Sequence, residues 1–215
     1  KFLVNEDGSL GERNDLRCVS LEHKLGIHAS PTAVMSFGDE GGATGYMIGP
    51  ENGGMRVMFV MMNNARFGVG MEGVSIAERA YQHALAYAKE RVQGRVVGAG
   101  QGATIIDHPE VRRMLMTMKS LTEAARALAY YTASQNDLAS HHEDEVAREA
   151  ATDRLALLTP LVKAWSTDIG VEVASLGIQV HGGMGFIEET GAAQYYRDAR
   201  IAPIYEGTNG IQALD

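Results

Sequence analysis

The spacing of apolar positions changes character once along the chain, near residues 50–56. Before that point, short apolar runs alternate with Gly, Asn, Asp and Pro, a pattern typical of strands and turns. After it, Gly and Pro become scarcer, and Ala, Leu, Met, Glu and Arg fill long stretches with helical periodicity. We therefore predict a strand-rich segment over residues 1–53 and a helical domain over residues 54–215.

Three long helices are predicted in the second part of the chain. The first covers residues 55–91, where apolar positions recur at three- and four-residue steps along one face. The second starts at residues 107–110, where a cap residue, a first-turn proline and an acid follow one another, and it runs towards Ser140. The third is predicted to begin at residues 159–160 and to end at Gly177.

Shorter elements connect and follow these helices. A Gly-rich connection spans residues 94–106, a charged helical stretch begins at His141, and a short helix covers residues 191–200. Another helix begins at Asn209 and is cut short by the end of the chain. The predicted fold is therefore mainly α, an up-down helical bundle preceded by a partial β-domain.

Three glycines interrupt the first long helix. Gly68, Gly70 and Gly73 each lower helix propensity by about 1 kcal/mol relative to alanine. Their presence predicts that the helix lies close to something that a larger side chain would push away. That neighbour is either the backbone of another helix or a bound ligand, and the sequence leaves both interpretations open.

The charge balance limits the class of ligand. The chain has 19 Lys and Arg against 27 Asp and Glu, a formal net charge of −8, which argues against a broad nucleic-acid-binding surface. An anionic ligand must be bound by a few well-placed arginines or by backbone N–H groups.

The cysteine count and the apolar runs concern the cellular compartment. Cys18 is the only cysteine, so no internal disulfide is possible, which fits a cytoplasmic setting. The longest apolar run, residues 57–62, is far shorter than the twenty or so residues of a membrane helix, and no membrane insertion is expected. His141 and His142 lie on different helix faces, so no metal site is expected there.

One carboxylate near the end of the chain is a candidate base. Glu206 lies between Tyr205 and Gly207, and glycine lets a backbone turn tightly and approach a ligand without a side-chain clash. A positioned carboxylate in such a corner can remove a proton from a weakly acidic carbon. An exposed glutamate that caps the next helix has a similar sequence context, so both interpretations stay open.

Two further features are suited to phosphate. Gly182, Gly183 and Gly185 form a loop whose backbone N–H groups can reach phosphate oxygens, although such a loop can also be a simple turn. Arg91 ends the first long helix, where a cation is favourable to the helix dipole, and its planar guanidinium also suits phosphate.

Two segments together resemble the carboxy-terminal signature of the acyl-CoA dehydrogenases, flavoenzymes that desaturate acyl thioesters. They are residues 179–186, Gln-Val-His-Gly-Gly-Met-Gly-Phe, and residues 204–214, which contain Tyr-Glu-Gly-Thr. Residues 21–32 resemble the end of the family's middle β-domain, so the resemblance spans essentially the whole chain. It implies that the family's amino-terminal helical domain and an earlier β-segment are absent, and we expect this chain to be a fragment.

Three details are similar to the longer bacterial branch of the family. They are Asn-Asn-Ala-Arg at residues 63–66, Arg-Val-Gln-Gly at residues 91–94, and an acidic insertion near residues 141–154. That branch includes enzymes that act on 3-methylthiopropanoyl-CoA as well as on ordinary fatty acyl-CoAs.

The resemblance implies a reaction and a set of site residues. In an α,β-desaturation of an acyl-CoA thioester, Glu206 would take the α-proton and the flavin N5 the β-hydride. For the cofactor, FAD, the implied contacts are Arg91, Gln179, Gly182, Gly183 and Thr208. For the acyl-CoA substrate, the implied contacts are Asn63, Arg66, Tyr205 and Gly207.

The resemblance also implies partners. These are an electron-transfer flavoprotein as electron acceptor and further copies of the chain in a homodimer or homotetramer, because a neighbouring subunit holds most of the FAD. Two other functions fit the same sequence: an acyl-CoA oxidase that passes electrons to O2, and a non-catalytic helical assembly module.

Overall fold

The chain, described by a computed structural model over residues 1–98 and 102–215, folds into two compact units. They are Lys1–Phe59 and Val60–Asp215. The predicted Gly-rich connection over residues 94–106 lies partly outside the described residues. No helix within the described residues is both long and apolar enough to cross a membrane.

The first unit contains two antiparallel hairpins. β1 (Phe2–Val4) pairs with β2 (Leu10–Arg13), and β3 (Leu16–Leu21) pairs with β4 (Ala33–Phe37). The prediction of strands and turns for this part of the chain is therefore confirmed.

Five helices follow, and the three long ones supply most of the structure. In chain order they are α1 (Gly54–Glu90), α2 (Pro109–His141), α3 (Glu145–His181), α4 (Ala192–Ala199) and α5 (Asn209–Gln212). The predictions of a mainly α fold, of the first two long helices and of the short helix over residues 191–200 are confirmed.

The start and the end predicted for the third long helix are wrong. Thr159 and Pro160 lie inside α3, which has already run for about four turns when it reaches them. Proline removes one helical hydrogen bond, but packing on both sides keeps the helix continuous, since Ala151 and Val162 are buried. Gly177 does not end the helix either, because it serves a contact between helices.

The cap of α2 and the start of the charged stretch after it also differ from the prediction. The residue that caps α2 is His108 rather than Asp107, whose carboxylate instead accepts a hydrogen bond from the backbone N–H of Thr104 at 3.2 Å. The charged stretch predicted to start at His141 becomes helical at Glu145, because Asp144 caps α3 by accepting from the N–H of Val146 at 3.2 Å.

Close contacts fix the directions of the three long helices. Gly73 of α1 lies against Ser166 of α3, and Ala80 lies against Gly177, so α1 and α3 run parallel. Gly177 also touches the end of the Met118 side chain on α2.

The direction of α2 follows from a second contact with α3. Arg154 donates to Gln135 at 3.1 Å near the start of α3, whereas the Met118 contact lies near the end of α3. The residue numbers therefore run in opposite directions, and α2 is antiparallel to both neighbours. The residues that α1 contributes to the core between the helices are Val74, Ala77, Ala80, Ala84 and Ala88, four of them alanines.

The glycines of α1 allow the backbones of α1 and α3 to approach. A Cβ atom on Gly73 would lie 2.3 Å from the carbonyl oxygen of Ser166, and one on Gly70 would lie 2.7 Å from the Val162 side chain. The interpretation as helix packing is thus confirmed for these two residues. A Cβ on Gly68 would meet nothing within 4 Å, so the interpretation as helix packing is wrong for Gly68.

Two histidines face each other where α1 and α3 end. The rings of His83 and His181 lie 4.7 Å apart, and Tyr87 packs on His181 at 4.4 Å. The Nδ1 atom of His181 lies 2.7 Å from the carbonyl oxygen of Gly177, so this nitrogen carries the proton and donates. Burial lowers the pKa of both histidines, and mutual repulsion lowers that of His83 further.

Replacing Gly73 with alanine tests the contact between α1 and α3. We expect Gly73→Ala to reduce the free energy of unfolding by about 3 kcal/mol, because the backbone atoms it meets cannot rotate away. Gly68→Ala is the matched control and should stabilise the helix by about 1 kcal/mol. Denaturant unfolding measures both, and equal effects of the two substitutions would contradict the close contact.

The histidine pair predicts how stability depends on pH. In the folded chain both histidines have a pKa below the ordinary value of 6.5, so the unfolded chain binds protons more readily than the folded chain does. The contribution of the histidines to stability is therefore fully present well above pH 6.5 and is lost as the pH falls below 6.5. The melting temperature measured over this range should fall less steeply in His181→Phe, and parallel curves would contradict the prediction.

Candidate functional site

The turn between α4 and α5 has an unusual backbone. Glu206 has φ of 56° and Gly207 has φ of 84°, so two consecutive residues are left-handed. For a glutamate this conformation costs about 1–2 kcal/mol. Such a residue persists only where its surroundings hold it, and the turn is correspondingly well anchored.

Side chains from α3 and α5 hold this turn through one carbonyl group. The carbonyl oxygen of Gly207 accepts from Lys163 Nζ at 2.6 Å and from Gln212 Nε2 at 3.3 Å. Lys163 also donates to Asn209 Oδ1 at 3.0 Å, and the amide nitrogen of Asn209 donates to Asp168 at 2.8 Å. The peptide between Gly207 and Thr208 is thus fixed by a connected polar network.

Glu206 itself remains available. Within residues 1–98 and 102–215, neither its carboxylate nor its backbone N–H has a hydrogen-bond or ion-pair partner. The residue that caps α5 is Thr208, whose hydroxyl accepts from the N–H of Ile211 at 3.3 Å. The alternative in which Glu206 caps the helix is therefore wrong.

Tyr205 points towards α1. Its hydroxyl donates a short hydrogen bond to the carboxylate of Glu72. Burial raises the pKa of Tyr205 above its ordinary value, and the neighbouring Glu72 raises it further, so the phenol stays protonated. The tyrosine anchors the turn to α1.

The predicted substrate residues Asn63 and Arg66 lie on α1. The side chain of Arg66 is buried and pairs with Asp215 at 2.6 Å, and its Nη2 atom lies 3.6 Å from the position of a Cβ on Gly207. Both residues line a cavity of 570 Å³ between the long helices. Glu206 is described by the structure and is not part of this cavity wall. Arg66 thus connects the cavity to the turn.

The predicted cofactor residues lie at the other end of α1 and α3. Arg91 is exposed just beyond α1, and Gly182 and Gly183 are exposed just beyond α3. Arg91 and Gly182 line the same cleft of 290 Å³. Gln179 is exposed on the last turn of α3, and its carbonyl oxygen accepts from the N–H of Gly182. Thr208 lies apart from this group, at the start of α5.

This cleft fits a phosphate-bearing cofactor. A Cβ on Gly182 or Gly183 would meet nothing within 4 Å, so the loop backbone is open to an approaching ligand. Gly182 has φ of 60°, which side-chain-bearing residues rarely adopt. The exposed guanidinium can donate to phosphate oxygens, and the glycine loop beside it has no side chain that would keep a phosphate group away.

Sequence reasoning missed Lys163 and the histidine pair. Lys163 occupies a core position of α3, in register with the buried residues Ser166, Gly170 and Val173. A lysine at such a position of an otherwise apolar stripe was a signal in the sequence. Its partners could not be read there, since Gly207 lies 44 residues further along the chain.

Comparisons with known proteins identify relatives of this chain. Residues 52–215 match the family model described as acyl-CoA dehydrogenase, C-terminal domain. The chain is 60% identical over 217 residues to 3-methylmercaptopropionyl-CoA dehydrogenase of Ruegeria pomeroyi. That alignment covers 100% of this chain and 36% of the relative, so the chain spans about a third of the relative's length.

Solved structures show the same fold. Butyryl-CoA dehydrogenase from Megasphaera elsdenii has 29% sequence identity and a TM-score of 0.76, over 93% of this chain and 47% of that one. An acyl-CoA dehydrogenase complexed with FAD from Bacillus anthracis has 27% identity and a TM-score of 0.78, over 93% of this chain and 34% of that one. With the match over residues 52–215, these similarities establish that this chain belongs to the acyl-CoA dehydrogenase family.

Proposed function

We infer that this chain is the C-terminal part of an FAD-dependent acyl-CoA dehydrogenase that introduces an α,β double bond into an acyl-CoA thioester. The observation that carries this inference is Glu206, a carboxylate without a partner on a left-handed turn that other side chains hold in place. The relative with 60% identity is named for 3-methylmercaptopropionyl-CoA, which supports a short thioether acyl-CoA as the substrate, with fatty acyl-CoAs as the wider class.

Glu206 acts as the base. The α-protons of a thioester are weakly acidic, so their removal needs a positioned base and a donor for the charge that develops on the carbonyl oxygen. The free carboxylate of Glu206 supplies the base, and the free backbone N–H of the same residue supplies the hydrogen-bond donor for the carbonyl oxygen. Asn63 and Arg66 lie on the neighbouring face of α1, where they contact the thioester and the rest of the acyl-CoA. Tyr205 and Gly207 shape the turn against the substrate.

The cleft at the end of α1 and α3 would contact one part of FAD, and a neighbouring subunit would hold most of the cofactor. Arg91 binds the pyrophosphate, while Gln179, Gly182 and Gly183 contact the adenine side, and the open backbone of the two glycines supports this assignment. Thr208, which follows the Glu206 turn and caps α5, is a further contact of the cofactor. When bound, FAD supplies the acceptor for the hydride that leaves the β-carbon.

The assembly contains further copies of this chain, in a homodimer or homotetramer in the cytoplasm. The residues that follow the glycine loop support this, because Phe186 is 87% exposed and Met184 and Ile187 are also exposed. Apolar side chains beside a cofactor cleft are suited to a neighbouring subunit that completes the cleft. The electron acceptor is an electron-transfer flavoprotein, as the family implies.

Glu206→Gln tests the reaction. The substitution keeps the size and the turn but removes the base, so FAD content should be retained while bleaching of the flavin by 3-methylthiopropanoyl-CoA slows by about 10⁴-fold. Stopped-flow absorbance of the FAD-loaded protein without oxygen measures this. Glu189→Gln, an exposed glutamate beyond the glycine loop, is the control and should bleach at the normal rate. Normal bleaching in Glu206→Gln would end the proposal.

Arg91→Gln tests the cofactor site. Loss of one charged contact should weaken FAD binding by about 10- to 100-fold and reduce its dependence on salt. Arg148→Gln is the matched control, because that arginine donates to His142 and Glu143 carbonyls at the opposite end of α3. Titration of the apoprotein with FAD measures both variants, and equal affinities would contradict the assignment of Arg91.

A further inference from the structure

Lys163 is the most unusual titratable residue of the bundle. It is 0% exposed in the middle of α3, where an apolar side chain is the ordinary choice. Removing an ammonium group from water is unfavourable, and burial accordingly lowers the pKa of Lys163 while the attraction of Asp168 opposes this change. A lysine kept at such a position has contacts that an apolar residue cannot make.

Those contacts are two acceptors on the turn that carries Glu206. The Nζ atom donates to the carbonyl oxygen of Gly207 at 2.6 Å and to Asn209 Oδ1 at 3.0 Å. Within the described part of the chain, the lysine pairs directly with no carboxylate. Its hydrogen bonds therefore go to the Gly207 carbonyl of the turn and to the Asn209 side chain at the start of α5, rather than to a counter-ion.

The Gly207 carbonyl determines where Glu206 can point. It belongs to the residue directly after Glu206, and both residues have positive φ. Without a donor on this carbonyl, Glu206 could relax towards the ordinary region of φ, and its carboxylate and N–H would turn away together. Gln212 donates to the same oxygen at the longer distance of 3.3 Å, so Lys163 makes the shorter of the two contacts.

We propose that Lys163 is a positioning residue for proton abstraction, which holds the Glu206 turn in its reactive conformation from the buried face of α3. The proposal rests on the assignment of Glu206 as the base. Lys163 does not touch the substrate, so its removal should slow the chemical step and leave substrate binding nearly unchanged.

The test compares Lys163→Met with Lys163→Gln in the FAD-loaded protein. Methionine keeps the unbranched shape and removes the donor, so the rate constant of flavin reduction at saturating 3-methylthiopropanoyl-CoA should fall by about 100-fold. Glutamine keeps an N–H donor, so in Lys163→Gln the rate constant of flavin reduction should fall by only about tenfold. In both variants the substrate Kd should stay within about threefold of the unchanged protein. Lys119→Met, the same change at an exposed lysine of α2, should leave the rate constant unaltered.

The rate constant and the amplitude of flavin reduction together distinguish a residue that positions Glu206 from a residue that is needed only for folding. A lysine needed only for folding would reduce the amplitude, while the remaining flavin-bound molecules react at the normal rate, and that result would overturn the proposal. If Lys163→Met does not fold, Lys163→Gln decides by the same criterion. Glu206→Gln is measured beside them. Normal reduction in that variant would overturn the proposed function itself, whereas its loss together with a normal rate in both Lys163 variants would overturn only the positioning role.

Discussion

The close approach of α1 to α3 is the contact on which the rest of the structure depends. It is possible because Gly73 and Gly170 face each other, and a Cβ on Gly170 would lie 3.0 Å from the carbonyl oxygen of Gly73. With the two helices this near, the Glu206 turn is held by Glu72 of α1 and by Lys163 of α3 at the same time. A wider separation of α1 and α3 would remove one of these two anchors.

The same contact between α1 and α3 also brings the candidate cofactor residues together. Because α1 and α3 run parallel, they end together, which brings Arg91 and Gly182 to one cleft. The histidine pair packs just inside that end, so the glycine loop starts from a buried and well-ordered residue, His181. One helix pair therefore supports both the candidate base and the candidate cofactor contacts.

Much of this arrangement could be predicted from the sequence, and the exceptions have physical reasons. Periodicity located α1 and α2, and the segments around Glu206 and Gly182 indicated the family. The predicted boundaries of α3 are wrong because proline and glycine are typical of helix ends, whereas packing keeps Pro160 and Gly177 inside the helix. The contacts of Lys163 could not be predicted, because its partners lie more than 40 residues further along the chain and local sequence patterns do not indicate such pairs.

The anchors of the Glu206 turn come from distant parts of the chain. Glu72 is 133 residues from Tyr205, and Lys163 is 44 residues from Gly207. Each of these contacts closes a large loop, which costs chain entropy. The left-handed conformation of Glu206 therefore depends on complete packing of α1 and α3, and a chain whose helices are formed but loosely packed would lack both anchors of the turn.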